Sequence, residues 1–337
     1  MNRYTRAALA LALAADLSAC SGSRIRSAAE RGDVETVKRL LAKDPRLTEA
    51  SDFGPGYSAI QLAASAGHAN VVEVLLAAGA QPRDAMKQAA EHGHTDVVAL
   101  LWEKGGPATR EPAIVQEALV RAADTGHIPP LEWLLAHGGD INARSPSGWT
   151  ALQCAAFRAN PSLIKWLHDH GARLDDRGKY GWTPLFCAAA SGDAGVTELL
   201  IQLGAEVNVT SPSGGTPLTR AAKTCELPVM RVLLQHQVDV NLRNGDNNTA
   251  LILVIRGMPP YENSFANHRA FVESGKNKAQ EQTCLPIVQL LLEHHADVTV
   301  RNKDGLTAFD IATARGWQEV AAAVCPKDAV VASTATR

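Results

Sequence analysis

Aromatic residues are scarce in this chain: six Phe, four Tyr and six Trp in 337 residues, or 5%. Hydrophobic residues nevertheless make up 46%, enough for a continuous core over 300 residues that makes little use of large rings. An excess of either charge is missing as well. There are 33 basic and 35 acidic residues, a formal net charge of -2 and a pI near 6.6. Nucleic-acid binding rests mainly on neutralising phosphates, and the scattered Lys and Arg residues form no basic face, so no nucleic-acid partner is expected. Motifs of catalysis are lacking too: there is no nucleophile elbow, phosphate loop or paired-carboxylate pattern. The pairs His92/His94, His168/His170 and His294/His295 lack the i,i+4 spacing that puts two ligands on one helix face. The expectation is a chain with no metal, no cofactor and no small-molecule substrate, and one that is not an enzyme.

What the sequence does have is a period. Ser145 to Gln153 reads SPSGWTALQ, and from Ser211 the chain reads SPSGGTPLT, 66 residues later. The Thr of that phrase recurs as Thr150, Thr183, Thr216 and Thr249, in steps of 33, and again as Thr307 after a further insertion of 25. An Ala pair keeps the same phase, from Ala28–Ala29 through Ala63–Ala64, Ala89–Ala90, Ala122–Ala123, Ala155–Ala156 and Ala188–Ala189 to Ala221–Ala222. The step from Ala63 to Ala89 is 7 short, and nine units result.

Each part of the unit has a physical reading. In Gly181-Trp-Thr-Pro-Leu-Phe186, Gly allows the positive φ of a tight turn. Thr183 is placed to N-cap a helix, and Pro184 falls at the first helical position, where a missing N–H costs nothing. A short helix over Leu185–Ala190 follows, whose small Ala pair admits a close neighbour. Val196–Ile201 has helical apolar spacing, and Gly204 sits where a left-handed C-cap is wanted. One such pair cannot bury its own apolar face, whereas stacked neighbours can.

A 33-residue period with Thr-Pro-Leu near its start resembles the ankyrin-repeat family. The resemblance runs from about Arg24 to Cys325 and implies an all-α solenoid of about nine helix-pair repeats with short β-hairpin or turn fingers. The family usually carries His three residues after the Thr, where it ties repeats together. Here that place holds Gln61, Gln153, Phe186, Thr219, Ile252 and Asp310, which brings inter-repeat rigidity into question. Only Gln81-Pro-Arg83 joins the second and third pairs, so a seam is expected there.

The first twenty residues differ in kind. Two positive charges precede the nine-residue apolar run Ala7–Ala15, too short to span a bilayer as a helix but suited to a signal-peptide core. Leu17-Ser-Ala-Cys20 resembles the lipobox of bacterial lipoproteins, and that resemblance implies lipidation of Cys20. The expected layout is a lipoprotein-type signal peptide at 1–19, a short tether at 20–23 and repeats over 24–325. An insertion at 257–283 lies within the eighth repeat, and a tail follows at 326–337. The insertion holds Tyr261, Phe265 and Phe271, and either serves a functional face or is a solvated loop. The implied location is the bacterial cell envelope, lipid-anchored, in the outer membrane facing the periplasm.

Cys154 and Cys187 hold the same place in adjacent units, too far apart for a bridge if helices stack at about 8–10 Å, and read as small core residues. Cys225 and Cys284 lie near helix–helix loops, and the sequence leaves a bond between them open.

The surface remains. The resemblance implies that partners contact finger tips and the ends of first helices. Those positions hold Tyr57, Trp149, Tyr180 and Trp182 at the tips, and Phe157 and Arg158 at a helix end. Trp, Tyr and Arg are enriched at binding hot spots. Trp149 and Trp182, 33 apart, either meet a partner or pack on adjacent fingers, while Trp133 and Trp166 fall in second helices, where packing is the reading. The functional expectation is a membrane-tethered protein–protein interaction module. Its specific forms are an immunity protein against a periplasmic toxin or an adaptor for an envelope enzyme, and the alternative is a structural stabiliser of the envelope.

Overall fold

The computed structural model describes residues 21–49, 57–82, 84–257 and 276–326. The leader-like segment 1–19, Cys20, most of the insertion and the C-terminal tail lie outside the described residues. The chain divides into two compact units, Met1–Ala155 with Asp169–Ala172, and Ala156–His168 with Arg173–Arg337.

Helices come in pairs, as the period requires. In the first unit they are α1 (21–30) with α2 (Val34–Lys43), α3 (Ala59–Ser65) with α4 (Ala69–Ala77), α5 (Ala85–Glu91) with α6 (Thr95–Lys104), and α7 (Pro112–Thr125) with α8 (Ile128–Ala136). Next come α9 (Ala151–Phe157) and α10 (Pro161–Asp169). The second unit continues with α11 (Pro184–Ser191) and α12 (Ala194–Gln202), α13 (Pro217–Thr224) and α14 (Leu227–Leu234), α15 (Ala250–Arg256) and α16 (Lys276–Glu293), and α17 (Ala308–Ala314) and α18 (Gln318–Ala323). Residues 276–283 thus form the first turns of α16. First helices pack on first helices and second on second: α3–α5–α7 and α2–α4–α6–α8 in one unit, α11–α13–α15–α17 and α12–α14–α16–α18 in the other. Packing of α3 on α5 and α4 on α6 continues across the short joint at residue 83, so the expected seam does not interrupt the layers.

The Ala pairs make this spacing possible. All seven are at most 1% exposed, and a larger side chain there would force neighbouring helices apart. Helix starts are fixed as the sequence indicates. The hydroxyls of Thr150, Thr183, Thr216, Thr249 and Thr307 each accept a hydrogen bond from the backbone N–H three residues on, at 3.1–3.4 Å.

The position that lacks the family's His is put to a different use. Gln61, Gln153, Thr219 and Asp310 accept from the backbone N–H of Ser58, Thr150, Thr216 and Thr307, at 2.7, 3.0, 2.7 and 2.8 Å. They thereby satisfy a helix-end donor that would otherwise have no partner. Ties between repeats come from elsewhere. Asn208 Nδ2 donates to Gln237 O (3.3 Å) while its Oδ1 accepts from Asp239 N–H (2.9 Å). Asn241 repeats this with His295 O (3.3 Å) and Asp297 N–H (2.8 Å). In the first unit His68 and His94 reach back from Nε2 to Glu30 O (3.1 Å) and Ser65 O (3.0 Å). These long-range bonds tie neighbouring repeats without the family's His.

Candidate protein-binding surface

The tips at 145–149, 178–182, 211–215, 244–248 and 302–306 are five-residue loops, each closed by two backbone bonds, one of them from the N–H of the fourth residue to the carbonyl of the first at 2.7–3.0 Å. The N–H groups of Ser145, Gly178, Ser211, Asn244 and Asn302 donate to the carbonyls of Trp149, Trp182, Gly215, Asn248 and Leu306, at 2.8–3.0 Å. Both bonds lie within one turn, too little for a ladder, and no strand occurs among the described residues. The fingers are turns, and the hairpin version of the expectation is not seen.

The first residue of most tips also latches the loop through its side chain. Ser211 Oγ accepts from Gly215 N–H (3.1 Å), and Asn244 Oδ1 accepts from Asp246 and Asn248 N–H (both 2.9 Å). Asn302 Oδ1 accepts from Asp304 (2.9 Å) and Leu306 (3.0 Å). Successive tips are joined by Gly245 N–H to Ser213 O (2.6 Å) and Lys303 N–H to Asp246 O (3.0 Å).

The tip at residues 178–182 departs from this plan. Gly178 has no side chain to latch with, and Tyr180 takes a left-handed conformation (φ 62°), a costly region for a bulky residue. Arg177 substitutes for the latch by donating to Gly181 O (3.2 Å) and to Thr210 O. Gly181 has φ +68°, and a Cβ there would meet the Pro212 ring at 2.4 Å, so only Gly lets the next tip approach.

This tip gathers rings and cations. The Tyr180 side chain, 63% exposed, lies 5.6 Å from the Trp182 ring, and Lys179 Nζ sits 5.0 Å over Tyr180. Trp182, half-buried, stacks on Phe186 with centroids 4.9 Å apart. The Arg220 guanidinium lies 5.5 Å over Trp182 from the next first helix, within cation–π range. Of the residues expected from the sequence, Tyr180 and Trp182 are thus brought together. Phe157 and Arg158 are exposed at the end of α9. Phe186, Arg220 and Lys179 were missed. Arg220 could have been found as the residue four after Thr216 on a first helix.

In the first unit Tyr57 is 54% exposed just before α3, and Trp149 is half-buried at its own tip. Beside that tip opens a cleft of about 410 Å³, lined by Asp84, Lys87, Ile114, Glu117, Pro146 and Ser147. Its charges are partnered: Lys87 with Asp84 at 2.8 Å and Arg121 with Glu117 at 2.9 Å. Trp133 packs in its second helix as read, stacked on His137 at 3.6 Å and edge-on to Trp102 at 5.7 Å.

Two further features bear on chemistry. No group of three or more metal-ligating side chains occurs among the described residues, and no helix among them is long and apolar enough to cross a membrane. His236 Nε2 lies 3.0 Å from Glu198 Oε2, and that hydrogen bond, with a second from Gln202, holds the Glu198 carboxyl below its usual range.

Comparison with known proteins places this arrangement. Sequence-family profiles described as ankyrin repeats match residues 25–111 and 119–211, 213–245, and 277–321. The E3 ubiquitin-protein ligase XBAT33 of Arabidopsis thaliana is 39% identical over 88 residues, 24% of this chain and 17% of that protein. "Probable E3 ubiquitin-protein ligase XBOS32" of Oryza sativa subsp. japonica is 38% identical over 88 residues, 24% of this chain and 18% of that protein. The chain spans less than a fifth of the length of these relatives.

They correct three expectations. A bacterial envelope lipoprotein, whether immunity protein, adaptor or stabiliser, is set aside because the relatives are plant proteins named as ubiquitin ligases. The outer-membrane location falls with it. The expectation that the chain is not an enzyme is also withdrawn, since these relatives carry the names of enzymes. The envelope reading rested on the charged start, the nine-residue apolar run and the following Cys, a stretch that lies outside the described residues.

Proposed function

Because the chain belongs to the ankyrin-repeat family, we propose that it is a protein-recognition array whose finger tips and first-helix ends hold a protein partner. The observation that carries this reading is the tip at 178–182, where Tyr180 stands 63% exposed beside Trp182 and Arg220 lies over the indole. Rings and guanidinium groups held in fixed positions lose little entropy on binding, which is why such groups dominate hot spots. Phe157 and Arg158 extend the surface in the same unit. Tyr57, Trp149 and the cleft beside Pro146 give the first unit a contact surface of its own. The names of the relatives bring a partner class with them: a protein handled in ubiquitin transfer, with this array as the part that recognises it.

The test is binding by purified array to a partner captured from cells, with Tyr180→Ala, Trp182→Ala and Arg220→Ala compared against wild type. Loss of a hot-spot aromatic weakens binding by about 2 kcal/mol or more, roughly thirtyfold. Circular dichroism confirms that each variant is folded. Wild-type affinity in all three folded variants would overturn the assignment. A second arm asks whether the captured partner carries ubiquitin and whether that mark falls when Trp182 is removed.

A further inference from the structure

Cys225 is the C-cap that follows α13, held in the left-handed conformation (φ 57°, ψ 37°), with a half-buried side chain. Cys284 lies within α16 and is 4% exposed. The two are 59 residues apart in sequence, yet their sulfurs are 3.6 Å apart and both are free thiols. A disulfide needs about 2.0 Å, so closure requires a sulfur movement of roughly 1.6 Å, within the reach of side-chain rotation.

The surroundings distinguish the two sulfurs. A hydrogen bond joins the two sulfurs; it holds the Cys225 thiol below its usual range and, with burial, pushes the Cys284 thiol strongly up. The guanidinium of Arg315, at the end of α17, donates to Arg256 O and to Gln280 Oε1 (3.1 Å) and adds a favourable positive charge near both sulfurs. The Glu226 carboxylate opposes it at Cys225. A more exposed, cation-assisted thiol paired with a buried one has the character of an attacking and a resolving cysteine.

We propose that Cys225 and Cys284 are an oxidation site that closes to an intramolecular disulfide when the protein meets hydrogen peroxide. In the first step the Cys225 thiolate attacks one peroxide oxygen, the O–O bond breaks, and Cys225 becomes a sulfenic acid while hydroxide leaves. In the second step the Cys284 sulfur attacks the Cys225 sulfur and the S–O bond breaks. The departing hydroxide takes the Cys284 proton as water. Two thiols are oxidised by one peroxide, which ends as two waters. The bond staples the α13–α14 loop to α16 and so joins the seventh and eighth helix pairs. The enclosed segment is long, the case in which a cross-link constrains the unfolded chain most.

The experiment treats the full chain with equimolar hydrogen peroxide and follows intact mass, disulfide-linked peptides and thermal unfolding. The expected result is loss of two hydrogens, a linked Cys225–Cys284 peptide pair, and a thermal midpoint several degrees above that of the dithiothreitol-reduced protein. In Cys284→Ser a sulfenic-acid-trapping 1,3-diketone should label Cys225, and in Cys225→Ser it should label Cys284 at least tenfold more slowly. The wild-type peptide map decides the matter even if the buried Cys284→Ser substitution fails to fold. Both thiols remaining open to alkylation after peroxide, or linkage of another pair, would overturn the proposal. Equal labelling in the two variants would overturn the assignment of attacking and resolving roles.

Discussion

The indole of Trp182 lies stacked on the ring of Phe186, with centroids 4.9 Å apart and planes inclined by 29°. Phe186 is buried and occupies the position three after Thr183 where similar repeats usually have His. A residue that looked like a defect in the pattern is therefore the support for the most exposed aromatic finger.

Replacing Phe186 with Leu keeps a buried apolar side chain but removes the stack. An aromatic pair is worth about 0.5–1.5 kcal/mol beyond its burial. Phe186→Leu should therefore lower stability by about 1–2 kcal/mol and shift the emission of Trp182 to the red. Subtracting spectra of Trp182→Phe isolates that indole, and an unchanged difference spectrum would count against the stack as its support.

Asn208 holds two backbone groups of the following repeat. Asn208→Ala loses both bonds in a partly solvated place, at about 1–2 kcal/mol. Because repeat arrays unfold through neighbour interfaces, the variant should also broaden the urea transition. A full-cooperativity transition with an unchanged midpoint would show that the ladder is ornamental.

Gly67 has φ +76°, and a Cβ built on it would lie 2.6 Å from the imidazole of His94. That ring bonds Ser65 O, so Gly67→Ala strains the backbone and displaces an inter-repeat tie together. A loss of about 2 kcal/mol or more is expected, measured by denaturant unfolding. His94→Ala should cost less, because it keeps the relaxed glycine.

The Asp310 carboxyl is held below its usual range by hydrogen bonds from the Thr307 N–H and hydroxyl, with a smaller contribution from Arg301. A depressed folded value means that the unfolded chain takes up the proton first. The stabilisation is complete above the unfolded value, about 3.9, and is lost as pH falls through the folded value. Acid unfolding of Asp310→Asn should accordingly be less steep below about pH 4 than that of wild type. Matching acid transitions would show that this cap does not contribute.

Local signals carried most of the fold. Thr183 and Pro184 announce a helix start, Gly204 its end, and the 33-residue recurrence says that every unit repeats the same solution. Asn208 and Asn241 were not legible as contacts, because they act across 29 and 54 residues and nothing nearby marks the partner. Cys225 and Cys284, by contrast, were paired in the sequence with the bond left open, and their sulfurs stand 3.6 Å apart. At the candidate site, Tyr180 and Trp182 stood out by residue type and phase. Arg220 did not, since a basic residue on a helix is ordinarily solvated and only stacking puts it over an indole.

The bonds from Asn241 to His295 and Asp297, and from Asp246 to Lys303, straddle the stretch in which the chain departs from its period. Removing the 25 extra residues from the count restores the spacing of the Asn208 bonds. Register here is held by the flanks and does not depend on how much polypeptide runs between Arg256 and Lys276. A closed loop gains only about 0.6 kcal/mol of entropic cost for each doubling of its length. The position therefore offers a natural port for engineering: an epitope, a fluorescent reporter or a whole domain grafted there would leave the repeats on either side in step.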